Sequence, residues 1–326
     1  MKSAIATRAV HSRVFGISVG ALTLLAVSLF FLSGMVSPVS GDKGLALKSA
    51  NEWISSPSLD FIAGLAGSGL TLLAMWLLNK VHNVLRSVTS LYIAFFTAMQ
   101  AATPDLAGQF YTGTVLAVLV PFCMLLLFSV YRSSHASYRV FLIFLLLSFF
   151  TATQYVFAVY VPVFLLGIAQ MGVFNRRTMV AALLGLITPW WLMLGFGVID
   201  LADIHMPHIV NIFTQIDTDE SIVLLVAVGF TSLCMLVCFI LNVLRTIAYN
   251  ARARAVNGAF TVTGLVTLIA MCVDYANILS YIPLLNFCAA MECTHYFSTH
   301  RADKSYIAIA AITVVYAALY LCQTVI

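Results

Sequence analysis

The chain has 326 residues, of which 62% are hydrophobic and only 9% are charged, and its net charge is +4. Soluble domains carry roughly 25% charged residues, so this supply cannot cover a water-exposed surface. A helical bundle in a membrane needs few charges, because hydrocarbon is its solvent. The composition excludes soluble, disordered, collagen-like and disulfide-framework proteins. It predicts an all-α, polytopic transmembrane bundle that forms one integral membrane domain over residues 1–326.

The first apolar run begins directly after basic residues. Lys2, Arg8 and Arg13 precede the run 14–36. This run is longer than the roughly 7–15 apolar residues of a signal-peptide core. We therefore expect a retained first span whose N-terminus lies in the cytoplasm.

Two later apolar stretches are longer than one span, which requires about 20 residues to cross the hydrocarbon. The stretch 140–171 has a polar break at 151–154, and the stretch 258–297 has one at 274–277. Basic residues flank both ends of each stretch, and basic residues collect in cytoplasmic loops. Each stretch must then cross the membrane an even number of times. We interpret each one as two short helices joined by a tight turn.

The resulting prediction has eleven spans, with the N-terminus in the cytoplasm and the C-terminus outside. All Lys and Arg residues except Lys43 and Lys48 then lie in cytoplasmic segments, whereas most acidic residues lie outside. The predicted spans are 14–36, 59–79, 88–103, 112–131, 140–153, 156–172, 178–199, 221–244, 258–274, 279–297 and 306–325.

The first large external loop contains two candidate catalytic residues, Asp42 and Glu52. Membrane glycosyltransferases with many spans place an acidic catalytic residue in this loop, where it acts as a base or holds a metal. The alternative is that both carboxylates are solvated loop charges. The middle of the loop, from Gly44 to Ile54, also fits a short interfacial helix with Trp53 at headgroup depth.

The second large external loop is acidic and contains Asp200, Asp203, His205 and His208 within nine positions. Carboxylates and imidazoles are ligands of Zn²⁺, Mn²⁺ and Fe²⁺, so these four residues are candidate metal ligands. Asp200 and Asp203 are also candidate catalytic residues. The spacing matches no established metal motif, and a solvated acidic rim explains the same residues. No metal is assigned on this basis.

Glu292 is an ionisable residue inside a predicted span, and His295 follows three positions later on the same helical face. Ionisable residues are costly in a membrane and therefore indicate function by default. The two side chains are candidates for a proton relay or an ion site. The alternative is structural, with Glu292 reaching the cytoplasmic interface or pairing with Arg301.

Motifs of established enzyme classes are absent from the sequence. It contains no P-loop, no dinucleotide fingerprint, no nucleophile elbow and no Cys/His cluster with zinc spacing. We expect no cofactor, and no nucleic-acid partner, because topology already accounts for the basic residues. The expected partners are the lipid bilayer and either another membrane protein or a lipid-linked substrate.

Two segments carry a resemblance to known proteins. Asn79-Lys80-Val81-His82-Asn83 leads into a span ending at Thr103-Pro104, and residues 177–191 read RTMVAALLGLITPWW. This pattern, over residues 79–200, is similar to an uncharacterised family of multi-span inner-membrane proteins from Bacteroidota. The resemblance implies a multi-pass protein of a bacterial inner membrane, and it transfers no catalytic residue.

Three functional hypotheses follow. The first is an inner-membrane protein without catalytic machinery that belongs to an envelope-assembly or transport complex. The second is a glycosyltransferase-like membrane enzyme that acts on a lipid-linked substrate at the external face. The third is a proton- or cation-coupled carrier that uses Glu292 and His295.

Overall fold

The computed structural model describes residues 12–37, 39, 44–87, 89–133, 135–200, 202, 204–205, 209–210, 222–246, 249–299 and 305–325. This part of the chain is all-helical and contains no strand. Short 3-10 segments lie at Ala50–Glu52, Tyr155–Val159 and Tyr275–Asn277. The α-helices are α1 Arg13–Leu32, α2 Pro57–His82, α3 Leu91–Ala101, α4 Pro104–Ala107, α5 Thr112–Ser129, α6 Ser137–Thr153, α7 Tyr160–Gln170, α8 Arg176–Gly195, α9 Ile222–Thr246, α10 Ala251–Val273, α11 Ile278–Thr299 and α12 Ser305–Val325.

Seven helices in the described residues are long and apolar enough to cross a membrane, namely α1, α2, α5, α8, α9, α10 and α12. The shorter helices α3, α6 and α7 are apolar as well. The chain therefore has the fold of a helical membrane protein. Helices α1, α9 and α12 bury only a small share of their residues inside the bundle, as helices surrounded by lipid do.

Helix α11 lies at the centre of the bundle. Nearly all of its residues are buried, and it packs against α3, α5, α9 and α10. It also carries three buried polar side chains, Asn286, Glu292 and His295. A polar side chain is tolerated between helices when neighbouring helices supply hydrogen-bond partners. The central position of α11 provides such neighbours on every side.

The two helix breaks expected from the sequence are present. Helix α6 ends at Thr153 because Gln154 has extended backbone angles, with φ −159° and ψ 136°. Helix α10 ends at Val273, and Asp274 separates it from the 3-10 segment that leads into α11.

Each broken pair of helices returns to the end of the bundle from which it starts. The Arg132 amide, which precedes α6, donates to the Met171 carbonyl, which follows α7, at 3.1 Å. Near the start of α10, the Asn257 side chain lies 3.5 Å from the ring of His295, near the end of α11. Both pairs are therefore helical hairpins.

Contacts between connecting segments define one end of the bundle, which we term the basic end. There the Ser90 hydroxyl donates to the Ser12 carbonyl at 3.0 Å, and the Ser298 hydroxyl donates to the Leu85 carbonyl at 3.3 Å. Every Arg and Lys of the described residues lies at or beside this end except Lys48.

The opposite end, which we term the acidic end, is joined by a second set of contacts. The Ser37 amide donates to the Asp105 carboxylate at 3.3 Å, and the Thr112 amide donates to the Asn51 side chain at 3.0 Å. The breaks of both hairpins also lie here. The segments predicted to be cytoplasmic and those predicted to be external thus group at different ends, as far as the described residues show.

The loop before α2 does not form the interfacial helix expected from Gly44 to Ile54. It contains only the 3-10 turn Ala50–Glu52. The amides of Ala46 and Leu47 instead donate to the Ala152 carbonyl at 2.9 and 2.8 Å. A Cβ atom at Gly44 would lie 2.8 Å from the Thr153 carbonyl oxygen, so the loop packs closely against the end of α6 at this glycine.

Candidate functional site

The Glu292 side chain lines a cavity of about 350 Å³ between α7, α9, α10 and α11. The residue is only 7% exposed. Its carboxylate Oε2 accepts a hydrogen bond of 2.6 Å from the side chain of Asn242 on α9. Asn242 also donates to the Glu292 main-chain carbonyl at 3.1 Å, which holds α9 against α11 at this level.

The same cavity reaches the basic end, because Gln170 and Arg254 line it. Asn257 and Thr261 add further polar groups to its wall. Within the described residues, Glu292 forms no ion pair, although Arg254 shares its cavity. The carboxylate is thus held by a neutral amide in a space large enough for water or a small solute.

His295 does not contact Glu292 through any hydrogen bond or ion pair among the described residues. It lines a separate cavity of about 210 Å³ at the basic end, beside the loop that follows α2. Asn257 lines both cavities and is the group that lies between the two sites. The two side chains thus share no direct hydrogen bond in the described part of the chain, and their role in a proton relay or an ion site stays a prediction.

Polar contacts continue along α11 toward the acidic end. The Asn286 amide donates to the Gln100 side chain on α3 at 3.0 Å. Pro283 lacks an N–H group, so the Leu279 carbonyl has no partner within the helix. The hydroxyl of Tyr111 donates to that carbonyl at 3.3 Å.

At the acidic end, a buried network joins the breaks of the two hairpins. Asp274, only 4% exposed, accepts hydrogen bonds from the hydroxyls of Tyr155 at 2.7 Å and Tyr281 at 3.0 Å. Asn277 donates to the same carboxylate at 3.1 Å and accepts from Gln154 at 3.1 Å. Asp274 therefore connects the two hairpins, in addition to its local position in the turn between α10 and α11.

A groove of about 480 Å³ lies at the acidic end, between the loops before α2 and before α5. Its walls combine apolar groups such as Phe31 and Ile54 with the carboxylate of Asp60. One carboxylate oxygen of Asp60 accepts a hydrogen bond of 3.1 Å from the Phe110 amide. Beside the groove, partial burial raises the pKa of Asp105, and the hydrogen bond from the Ser37 amide opposes this shift.

The structure places the residues predicted in the external loops as follows. Glu52 has an exposed side chain and does not line the groove. Asp200 is exposed, and the His205 amide donates to the Leu45 carbonyl at 2.9 Å, so the two large loops meet. The described residues contain no group of three or more potential metal ligands. Three predicted residues lie outside the described part of the chain: Asp42, Asp203 and His208. The metal and catalytic assignments in these loops therefore stay predictions.

Sequence reasoning missed several residues that line the cavities. Asn242 lies in an apolar run and Asn257 lies directly before the next one, and a single amide is a weak signal at either position. Asp60 lies at the start of the predicted span 59–79, where the external bias of acidic residues already accounts for a carboxylate. The arginines at the basic end were fully explained by orientation, which hid any additional role for them.

Comparisons with models of protein families, with curated proteins and with solved structures give no match to this chain.

Proposed function

We propose that this chain is a proton- or cation-coupled carrier in which Glu292 forms the transport site. The observation that supports this proposal is the buried carboxylate in a polar cavity on the central helix. A carboxylate inside a membrane domain is costly unless a cation, a proton or donor groups compensate it. Asn242 compensates it in part, and the cavity leaves room for the cation itself.

The arrangement of α11 supports the same proposal. Polar contacts occur along its length, at Tyr281, Asn286, Glu292 and His295. The Glu292 cavity reaches the basic end, whereas the Asn286–Gln100 contact lies between Glu292 and the acidic end. We infer that this arrangement is an inward-facing state, and that access from the acidic end requires α11 to move relative to α3.

The topology proposed with this function has eleven spans, a cytoplasmic N-terminus and an external C-terminus. The two hairpins and the collection of basic residues at one end support it. The resemblance of residues 79–200 supports a bacterial inner membrane as the location that we propose. The carrier acts alone or with a membrane-protein partner in a transport complex.

Transport by the full chain in proteoliposomes tests the proposal. A proton gradient is imposed and collapse of the gradient is followed with a pH-sensitive dye, while Na⁺, K⁺ and small organic ammonium ions are added in turn. We expect at least one cation to dissipate the gradient with the wild-type chain. E292Q keeps the shape and the acceptor for Asn242 but removes the charge, so we expect coupled transport to be lost.

The control is E52Q, which removes the exposed carboxylate of the loop before α2. We expect E52Q to transport at the wild-type rate. Equal transport by E292Q and the wild type would disprove the carrier assignment, as would the absence of transport with every cation in the series.

A second candidate function is an enzyme that acts on a lipid-linked substrate at the acidic end. The groove lined by Asp60 favours it, because the groove combines apolar walls with one carboxylate. In this hypothesis Asp60, and not Glu52, is the acidic group that contacts substrate. The D60N variant tests this hypothesis. If the protein is such an enzyme, we expect D60N to accumulate at the wild-type level but not to complement loss of the gene.

A further inference from the structure

A second cavity at the basic end has a different chemistry from the Glu292 site. It has a volume of about 210 Å³ and lies between the loop after α2 and the start of α10. Its wall is formed largely by hydrogen-bond donors and aromatic rings. The polar and aromatic groups that matter here are His82, Arg86, Tyr249, Arg252, Asn257 and His295. We term this space the Arg86 pocket.

Arg86 is held in the wall of the pocket by the loop that carries it. The side chain of Asn79 accepts a hydrogen bond of 3.0 Å from the Leu85 amide and donates one of 3.1 Å to the Ser87 carbonyl. Arg86 itself has φ +54°, in the left-handed region that disfavours most side chains. A non-glycine residue in this conformation costs stability, so the surrounding contacts must hold it there.

The guanidinium groups of the pocket have no carboxylate partner. Arg86 lies over the ring of Tyr249 at 3.9 Å, and one nitrogen of Arg252 lies 3.4 Å from the Nδ1 atom of His82. Neither guanidinium forms an ion pair with any residue that the structure describes. Each has five N–H donors, so most of them remain available for a ligand.

His295 adds a donor that has no acceptor. The residue is 5% exposed, and its Nδ1 atom lies 3.5 Å from the Asn257 amide nitrogen. When Nδ1 accepts that hydrogen bond, the proton of the neutral ring is on Nε2. The Nε2 atom is buried and has no hydrogen-bond partner in the described part of the chain. A buried donor without an acceptor is costly, which points to a ligand that supplies one.

We propose that the Arg86 pocket binds a phosphate group, with Arg86, Arg252 and His295 as donors. Three donors from the α2–α3 loop, α10 and α11 suit the several oxygens of one phosphate. Two of them are guanidiniums, whose planar fork matches phosphate oxygens. The phosphate belongs either to a soluble phosphate compound or to the headgroup of an anionic lipid, since basic pockets between helices bind both kinds of group. The assignment does not depend on the transport function of Glu292.

Thermal unfolding of the full chain in detergent tests the proposal in two arms. In the first arm, sodium phosphate is compared with sodium chloride at equal ionic strength. In the second arm, mixed micelles with phosphatidic acid are compared with micelles containing phosphatidylcholine. We expect a saturable rise in the unfolding temperature in at least one arm. A rise with free phosphate identifies a soluble ligand, and a rise with phosphatidic acid alone identifies a lipid headgroup.

Variants link any stabilisation to the pocket. R86N keeps a residue that tolerates the left-handed backbone, so the fold should be retained while the guanidinium is lost. R252Q removes the second guanidinium. We expect each variant to weaken the apparent affinity about tenfold or more, because each removes charge-assisted hydrogen bonds.

The matched control is R139Q, which removes a positive charge from the same end but outside the pocket, where Arg139 donates to the Ser129 carbonyl. We expect R139Q to bind as the wild type does. The proposal is overturned if neither arm shows a phosphate-specific shift, or if R86N and R252Q bind as tightly as R139Q. R86K keeps the positive charge but removes the planar guanidinium. We expect its affinity to lie between those of the wild type and R86N, because the guanidinium is the group that recognises phosphate.

Discussion

Tyr155 donates its hydroxyl hydrogen to the carboxylate of Asp274 at 2.7 Å, and this bond connects the breaks of the two helical hairpins. The two residues are far apart in the chain, and each lies just beyond the end of a helix. A buried carboxylate is stable when several donors surround it. Tyr155, Tyr281 and Asn277 are such donors here, so no basic residue is needed at the acidic end.

We expect Y155F to destabilise the protein by about 1 kcal/mol, near the value of interhelical hydrogen bonds in membrane proteins. The change leaves the Asp274 carboxylate with one donor fewer. D274N should cost more, about 2 kcal/mol, because a neutral amide accepts from the two tyrosines less strongly. Unfolding of the purified chain in detergent, followed by circular dichroism, measures both effects.

The matched control for this pair is Y138F, since Tyr138 is 73% exposed at the start of α6. Removing its hydroxyl should leave stability unchanged. If Y155F unfolds at the same temperature as Y138F, the hydroxyl of Tyr155 contributes nothing to joining the hairpins.

The hairpins themselves could be predicted because two simple signals agreed. Polar residues interrupt each long apolar stretch, and basic residues flank it on both sides. The contact between Tyr155 and Asp274 could not be predicted, because local spacing contains no information on which break packs against which. For the same reason the polar break at 274–277 did not indicate that Asp274 contacts the other hairpin.

The hydroxyl of Tyr111 has a role that depends on Pro283. Pro283 leaves the Leu279 carbonyl without its helical partner, and Tyr111 supplies the hydrogen bond. We therefore expect Y111F to cost about 1 kcal/mol in the wild-type background. In a P283A background the restored amide satisfies the carbonyl, so the same change should cost much less.

A double-mutant cycle of Y111F and P283A measures this dependence directly. Unfolding in detergent of the wild type, the two single variants and the double variant supplies the four values. Additive effects, with no interaction between the two positions, would contradict a compensating role for Tyr111.

The most extensive helix contact in the bundle, between α6 and α8, depends on Gly185. A Cβ atom there would lie 2.5 Å from the Phe141 carbonyl oxygen and 3.0 Å from the Leu145 amide nitrogen. Because both are backbone atoms, one helix must shift to accept a methyl group. We expect G185A to destabilise the protein by about 1–3 kcal/mol, the usual cost of overpacking.

Gly195, at the end of the same helix, provides the comparison for G185A. A Cβ atom at Gly195 would meet no heavy atom within 4 Å among the described residues. G195A should therefore leave stability unchanged or raise it slightly, through the better helix propensity of alanine. Equal effects of the two substitutions on the unfolding temperature would show that α6 and α8 are not in close contact at Gly185.

The sequence pointed to Glu292 and His295 but not to their surroundings. Both stand out because charges are rare in an apolar chain. Their separation into two cavities depends on Asn242 and Asn257, which reach them from other helices. The preference of basic residues for cytoplasmic loops already accounted for Arg86 and Arg252. An arginine in a cytoplasmic loop can, however, also line a binding pocket. This second role can be inferred only from the structure, in which neither arginine forms an ion pair with a carboxylate of the described residues.

The proposed topology predicts which introduced cysteines react from outside the cell. The exposed native thiols Cys272 and Cys322 are first replaced by serine. S55C, in the loop before α2, and A202C, in the loop after α8, should then react with a membrane-impermeant maleimide on intact cells. H135C, between α5 and α6, should react only after permeabilisation. All three positions have exposed side chains, so lack of labelling is not explained by burial.

This labelling pattern shows whether the first hairpin, α6 and α7, crosses the membrane once or twice. If α6 and α7 crossed the membrane as one span, Ala202 would lie on the same side as His135, and neither cysteine would react on intact cells. If they cross as two, Ala202 lies with Ser55. The second result is expected because the Arg132 amide and the Met171 carbonyl, at the two ends of the hairpin, are hydrogen-bonded to each other.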